Sequence, residues 1–512
     1  MLRKATALLL LATCAVHAQA ENNSDKASNP ETVAERSQAT ARAVLDRAVA
    51  AIGGAEALRS IDVVRLQLQG ETWPRLQMPT AAPPFEAGTQ QEILLVDFKN
   101  NRLRLEQRVS GAGFAGDNVI VIKSGQGENY DNRGRTITPI PVAQSSQQQF
   151  VQYYRRLPQL LLRQALDRAT SLRSLGQDTF EGRPHDVFTF VMPDTQQVGV
   201  YVDSATGLVS KYELLFVDPL TGEEASEIMF GDYTRVGVFQ VPQTWHTRQA
   251  GDVTAKLQLK VEINPAISDQ SFEVAADGYT RVAALPDTLE EKVEQLADGV
   301  FVIQNVAGQN QNTLAVAFKD YIVAVEAPGS SAGADQVIER IKAAIPGKPI
   351  RYLAMTHHHG DHIGGLRSFI AEGATVVTTQ GNREVVESMA AAPQLDRLAK
   401  NPRKPEFLLL QRGKRVISDG SRTLELLDVG PNPHAREMVV AYLPKERIVF
   451  QGDLFFIPPN DAPAGPPQAT TVSFAKKLQE LKLDVDRIAS VHGRTTTIDE
   501  LNRAMQSAVP ST

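Results

Sequence analysis

Apolar and polar positions alternate with period two along much of the first half of the chain, as in Arg65-Leu66-Gln67-Leu68-Gln69 and Arg102-Leu103-Arg104-Leu105-Glu106. Alternation sends successive side chains to opposite faces, so these segments predict strands with one buried face. Asn100-Asn101, Asp117-Asn118 and Asp131-Asn132 predict turns between them. Two stretches break the pattern. From Glu31 the apolar residues Val44, Ala48 and Ile52 share a helical face until Gly53-Gly54 stops the run. Gln148 to Leu175 reads as a second helical interlude, with Leu157, Leu161 and Leu162 on its apolar side. From Asp186 to Glu273 the alternation returns as a meander with short turns at Asp203 to Gly207 and Pro219 to Gly222. An antiparallel half-open sheet, its apolar face wrapped on a helix, satisfies this pattern.

Leu285-Pro286-Asp287 interrupts the alternation, and an acidic helix over Thr288 to Leu296 is expected to lead into a strand at Gly299 to Ile303. At 512 residues the chain is too long for one typical domain. The expected division is a leader over 1–20, a polar disordered linker over 21–30, a β-rich domain over 31–283, a linker over 284–291 and a second domain over 292–512. The fold class expected is α+β and multidomain.

The first residues have their own texture. Arg3 and Lys4 precede an apolar stretch from Ala5 to Val16, and Ala18-Gln19-Ala20 is a small-x-small cleavage site, the pattern of a secretory signal peptide. No later segment reaches the roughly 18 apolar residues of a transmembrane helix. A periplasmic or secreted protein with no integral membrane segment is expected. Leu11-Ala12-Thr13-Cys14 is the competing element, a lipoprotein box with Cys14 acylated, although Thr13 is unusual there. Cys14 is the only cysteine, so a chain cut after Ala20 has neither disulfides nor thiolate ligands. The net charge of −6 becomes −8 once Arg3 and Lys4 leave. No basic face for a nucleic acid is evident.

The densest chemistry lies in Thr-His-His-His-Gly-Asp-His-Ile-Gly-Gly from Thr356 to Gly365, which holds four of the nine histidines. Imidazoles with one carboxylate suit Zn²⁺, with Fe or Mn as weaker candidates. Tyr352 to Met355 reads as a buried strand, so the motif sits at a strand's carboxyl end. Alternate residues of an extended segment point the same way, so His357 and His359 can converge on one ion while His358 points elsewhere. Beyond the bend, Asp361 and His362 can face a second ion. Four ligands cannot complete two sites. His434 follows the strand Thr423 to Val429 in a Pro/Gly-rich loop, Asp453 follows an apolar strand in Ile-Val-Phe-Gln-Gly-Asp, and His492 ends Arg-Ile-Ala-Ser-Val-His. Each repeats the placement of a candidate ligand at the end of a strand. His185, His246, Trp73 and Trp245 have no metal-like neighbours in sequence and are expected to be structural.

The order His-x-His-x-Asp-His, then His434, Gly-Asp453 and His492, over roughly Leu285 to Pro510, resembles the metallo-β-lactamase fold superfamily of metallohydrolases. The resemblance implies an αββα sandwich with two metals at its edge: one on His357, His359 and His434, the other on Asp361, His362 and His492, with Asp453 bridging. It also marks departures. Glu326 stands where the superfamily often has a supporting Asp, and Asp453 stands where true β-lactamases of this fold carry Cys or Ser, which argues against antibiotic hydrolysis. His359 replaces a Glu of the flavodiiron relatives, which argues against a di-iron redox role. The earlier segment resembles the lipoprotein-carrier half-barrels of the bacterial envelope, in Val200-Tyr201-Val202-Asp203, Phe230-Gly231-Asp232-Tyr233 and Val261-Glu262-Ile263-Asn264-Pro265.

These features imply a dinuclear zinc hydrolase. A hydroxide bridging two cations is nucleophilic near neutral pH, because coordination can lower the pKa of water to about 7. Asp361 is the candidate catalytic residue, orienting the water and passing a proton to the leaving group. The expected substrate is a small molecule with an ester, lactone, thioester or related bond. Two alternatives stand beside it: a periplasmic carrier of a lipid, acyl chain or lipoprotein with an accessory metal domain, and an iron-dependent sulfur or redox enzyme on the same fold. The five prolines from Ile457 to Gln468 suggest a rigid lip beside the metals.

Overall fold

The computed structural model describes residues 31–140, 147–460 and 462–507. The leader, the polar linker and Cys14 lie outside the described residues.

The first helix, Val33–Ala51, begins where Thr32 and Glu35 cap each other's backbone N–H groups. It buries Ala41, Val44, Leu45, Ala48 and Val49. With the helix Pro158–Asp167 it packs on one face of a fourteen-stranded sheet, against Leu66, Leu94 and Leu257 among others. Each such leucine, withdrawn from water, contributes roughly 2 kcal/mol. The sheet is a meander in which Val63–Thr72 pairs antiparallel with both Gly88–Asp97 and Asp252–Ile263, joining its early and late strands. This part of the molecule is mostly strands.

Three expectations differ from what forms here. Asp117 and Asn118 lie inside the strand Phe114–Lys123, because Arg108 across the strand and the Asn132 amide satisfy the Asp117 carboxylate that would otherwise favour a turn. The helical interlude is shorter than the pattern suggests: a 3₁₀ segment Gln147–Arg155 and the helix Pro158–Asp167 give way to the strand Arg173–Phe180, which leaves Leu175 exposed at the sheet's edge. The acidic helix at Thr288 to Leu296 does not form. Lys292–Ala297 is instead an edge strand paired with Val300–Gln304, since an exposed Val293 and a buried Leu296 suit a sheet margin over solvent.

The rest of the chain stacks four layers. A seven-stranded sheet runs from Lys292–Ala297 to Phe407–Leu409, and a six-stranded sheet from Lys414–Ser418 to Thr496–Thr497. Val302, Val316 and Val323 of the first meet Leu426, Ala441 and Phe450 of the second in a shared core. Ser331–Ala344, Leu366–Glu372 and Arg383–Ala391 cover the outer face of one sheet, and Ala469–Glu480 and Ile498–Gln506 that of the other. This is a helix–sheet–sheet–helix sandwich. Ile322–Val325 and Ile350–Ala354 run parallel, as do Ile448–Gln451 and Arg487–Ser490, so their carboxyl ends deliver Glu326, the His motif, Asp453 and His492 to one edge. Among the described residues, no helix is long and apolar enough to cross a membrane.

Candidate metal centre

All seven expected side chains meet at that edge, in two groups that share Asp453. His357, His359, His434 and Asp453 form one group, and Asp361, His362, Asp453 and His492 the other; within each group the candidate donor atoms lie within 4.8 Å of one another. In the first, His434 Nε2 is 3.0 Å from His357 Nε2 and 3.4 Å from Asp453 Oδ2. In the second, His362 Nε2 is 3.3 Å and His492 Nε2 3.4 Å from Asp453 Oδ1, and Asp361 Oδ2 is 3.1 Å from His492 Nε2. Four donors about 2 Å from a central cation are separated by roughly 3.3 Å, so these spacings fit ions.

The remaining hydrogen bonds settle which atom each imidazole offers. His362 donates through Nδ1 to Glu326 Oε2 at 2.7 Å, His492 through Nδ1 to Asn310 O at 2.6 Å, His434 through Nδ1 to Ala112 O at 2.9 Å, and His359 through Nε2 to Met78 O at 2.9 Å. His357 Nδ1 contacts Thr356 Oγ1 at 3.0 Å. The opposite nitrogens face the groups. His359 Nδ1, His362 Nε2 and Asp453 Oδ1 are buried without a hydrogen-bond partner, a cost that a cation would remove.

Local backbone choices bring these atoms together. Glu326, at φ 82°, sits in a conformation that side-chain-bearing residues seldom adopt, with its carboxylate 1% exposed between the Thr356 N–H at 2.7 Å and His362. A Cβ on Gly452 would lie 2.6 Å from Thr356 Oγ1 and 3.2 Å from His357 Nδ1, so glycine is needed for the Asp453 turn to press against the motif. His358 is buried and belongs to neither group. His185 is a satisfied core residue, bonded to Arg183 O and Ser210 Oγ, and His246 lies outside both groups.

The two groups differ electrostatically. Burial, then the neighbouring imidazoles, holds His357 and His359 well below the ordinary range, and burial also lowers His434 against the pull of Asp453. Burial acts the same way on His362, but Asp453, Asp361 and Glu326 outweigh it and raise its pKa well above 6.5. His492 is raised too, its burial overcome by the bond to Asp361 and the charge of Asp453. Both aspartates stay ionised: burial opposes the charge, and His362 and His492 more than offset it.

The large sheet contributes to the centre through residues that carry no motif in the sequence. Loop 73–87 meets the motif at consecutive points: Leu76 O accepts from Gly360 N at 2.9 Å, Gln77 Nε2 donates to Asp361 Oδ1 at 2.7 Å, and Met78 O accepts from His359. The turn after Ser110 places Ala112 O on His434 and the Phe114 ring edge-on to it at 4.9 Å. These partners lie some 280 to 320 positions from the residues they touch, with no motif of their own. Between the sheet and the metal groups opens a cleft of about 910 Å³, lined among others by Asp361, His434, Phe114, Phe456, Trp245 and Arg156. Trp245, expected to be core alone, packs on the core and also walls this cleft.

Residues 328–493 match the family described as metallo-beta-lactamase superfamily, a span that contains all seven side chains. This segment is a metallo-beta-lactamase superfamily domain. The 2,4-dinitroanisole O-demethylase subunit alpha of Nocardioides sp. (strain JS1661) is 24% identical over 169 residues, which are 33% of this chain and 45% of that protein. The chain thus spans less than half the length of this relative. Among solved structures, the metallo-beta-lactamase FIM-1 from Pseudomonas aeruginosa is 19% identical over 43% of this chain and 96% of its own, with a TM-score of 0.33. A metallo-beta-lactamase from Pontibacter korlensis is 18% identical over 43% of this chain and all of its own, also at 0.33. The superfamily match does not extend to the large sheet, and the resemblance of that sheet to lipoprotein carriers finds no support there.

Proposed function

We propose that the chain is an exported hydrolase holding two divalent cations, zinc suiting the donors best, and that it opens an ester, lactone, thioester or related bond in an uncharged small molecule. The observation that carries this is the pair of donor groups sharing Asp453 at the floor of a cleft. His357, His359 and His434 would hold one cation and Asp361, His362 and His492 the other, with an oxygen of Asp453 toward each. Cations held there would polarise a scissile carbonyl and acidify water. Export rests on the leader pattern of residues 1–20.

The chain's own groups do the rest. Asp361, whose side chain is 31% exposed, reaches the cleft and is the group to take a proton from the attacking water and return it to the leaving group. Phe114 and Phe456, edge to face at 4.8 Å, wall off bulk water from His434 and His492. The charged side chains that the large sheet and its loops turn toward the cleft are already paired: Arg75 with Asp218 and Asp252, Arg156 with Glu92, and Glu86 with Arg436. Among the described residues of the sheet, a charged substrate tail would find no free counter-charge there. The carrier alternative has less in its favour, since helices of the chain itself occupy the apolar face that an acyl chain would need.

The test is turnover by zinc-loaded protein of a panel of chromogenic esters, lactones, phosphodiesters and β-lactams, with 2,4-dinitroanisole included because of the demethylase relative. Turnover of the esters or lactones is expected. Strong β-lactam turnover would contradict the inference from Asp453, and purification with one iron in place of two zinc ions would favour the redox alternative.

A further inference from the structure

We propose that the fourteen-stranded sheet is a working part of the metal centre, with Gln77 as a positioning residue for Asp361; this rests on the metal-binding function proposed above. In the first donor group, two of the three imidazoles take their orientation from the sheet. The non-ligating nitrogens of His359 and His434 donate to Met78 O and Ala112 O, both at 2.9 Å, and each bond fixes which nitrogen of the ring is left for a cation. In the second group, Gln77 Nε2 occupies Asp361 Oδ1 at 2.7 Å, which leaves Oδ2 toward His492 and His362. The amide thereby selects the oxygen that can ligate.

Both loops are docked firmly enough to act in this way. Besides its three contacts with the His motif, loop 73–87 receives Arg436 N on Pro79 O at 2.8 Å. At the other loop, Gln468 exchanges hydrogen bonds with Ala115 N and O at 3.3 and 3.2 Å. Gly113, at φ +79°, lies so close to the metal domain that a Cβ there would come within 2.7 Å of Pro433 Cβ and 2.7 Å of Thr470 Cγ2. Any side chain at 113 therefore pushes Ala112 O away from His434. The metallo-beta-lactamase domain and the sheet build one centre between them.

The arrangement predicts a crossed pattern in two full-length variants, Gln77→Met and Gly113→Ala. Zinc affinity at each site is read by chelator competition, ligand geometry by the visible spectrum of the cobalt(II)-substituted protein, and folding by near-ultraviolet circular dichroism. Losing an orienting partner typically costs about 10- to 100-fold in metal affinity. Gln77→Met should weaken only the cation on Asp361, His362 and His492 by that factor, and Gly113→Ala only the one on His357, His359 and His434, each with altered cobalt bands. Should either variant unfold, the other still tests the inference through its own group. Two zinc ions held with wild-type affinity and unchanged cobalt spectra in a folded variant would overturn it. Wild-type protein that binds no zinc would instead overturn the metal-binding function itself.

Discussion

The two donor groups share Asp453 and little else. His357, His359 and His434 are buried imidazoles held neutral by desolvation, and two of them lean on main-chain carbonyls from a distant sheet. His362 and His492 are shifted upward against their burial, His362 by Asp453, Asp361 and Glu326 and His492 by Asp361 and Asp453, and their outer nitrogens bond within their own domain, to Glu326 and Asn310. The difference teaches that one centre can be assembled from a triad of lowered imidazoles that depends on tertiary docking and a charge-compensated set whose imidazoles the sandwich orients by itself, with Asp361 alone held from the sheet by Gln77. The imidazoles of the first group should therefore be the more sensitive to how the sheet sits, and those of the second to pH.

The largest effect is expected where the comparison vanishes. Asp453→Ala removes the only residue common to both groups, so metal analysis should find both cations lost, and turnover should fall by more than the roughly 100-fold that a supporting residue is worth. Asp361→Ala separates the groups: turnover should disappear while the first group still retains a zinc ion in a folded protein. Full activity in metal-verified Asp361→Ala protein would remove its proposed role. Glu326→Gln keeps the shape but loses the charge behind His362, and should lower zinc affinity of the second group by about 10- to 100-fold with the first unchanged.

The smallest effect is one of pH. In cation-free protein His362 and His492, raised above 6.5, contribute stability that is present below about pH 6.5 and lost as the pH rises through their elevated values. To bind a cation these two must give up the protons that their raised values favour, whereas His357, His359 and His434, all lowered from 6.5, have fewer to release. Calorimetry in buffers of different ionisation enthalpy should find proton release with the second group's zinc and almost none with the first's. Equal release from both would undo the electrostatic contrast.

What the sequence made legible follows from where each signal is stored. The histidine motif is compact, and Asp453 and His492 each end an apolar run, so short-range pattern marked them as candidates, whereas His434, in a Pro/Gly-rich loop, joins them through their common placement after strands and the residue order shared with the metallo-β-lactamase superfamily. Glu326 was marked by the resemblance, because it closes the strand Ile322–Val325 where the superfamily often has an Asp. Gln77, Met78 and Ala112 were invisible, because two of them act through main-chain carbonyls, which every residue carries, and the third is one glutamine on an irregular loop. Secondary structure went wrong where partners overrode local preference: Asp117 reads as a turn residue until Arg108 faces it across a strand, and Thr288 to Leu296 reads as a helix until Val300–Gln304 offers a sheet edge.

The most direct test of the account is a crystal of the full chain soaked in zinc and measured at the zinc absorption edge. Two anomalous peaks are predicted, one on either side of the Asp453 carboxylate, the first against His357, His359 and His434 and the second against Asp361, His362 and His492. A single peak, or peaks that leave Asp453 out of contact with either ion, would contradict it.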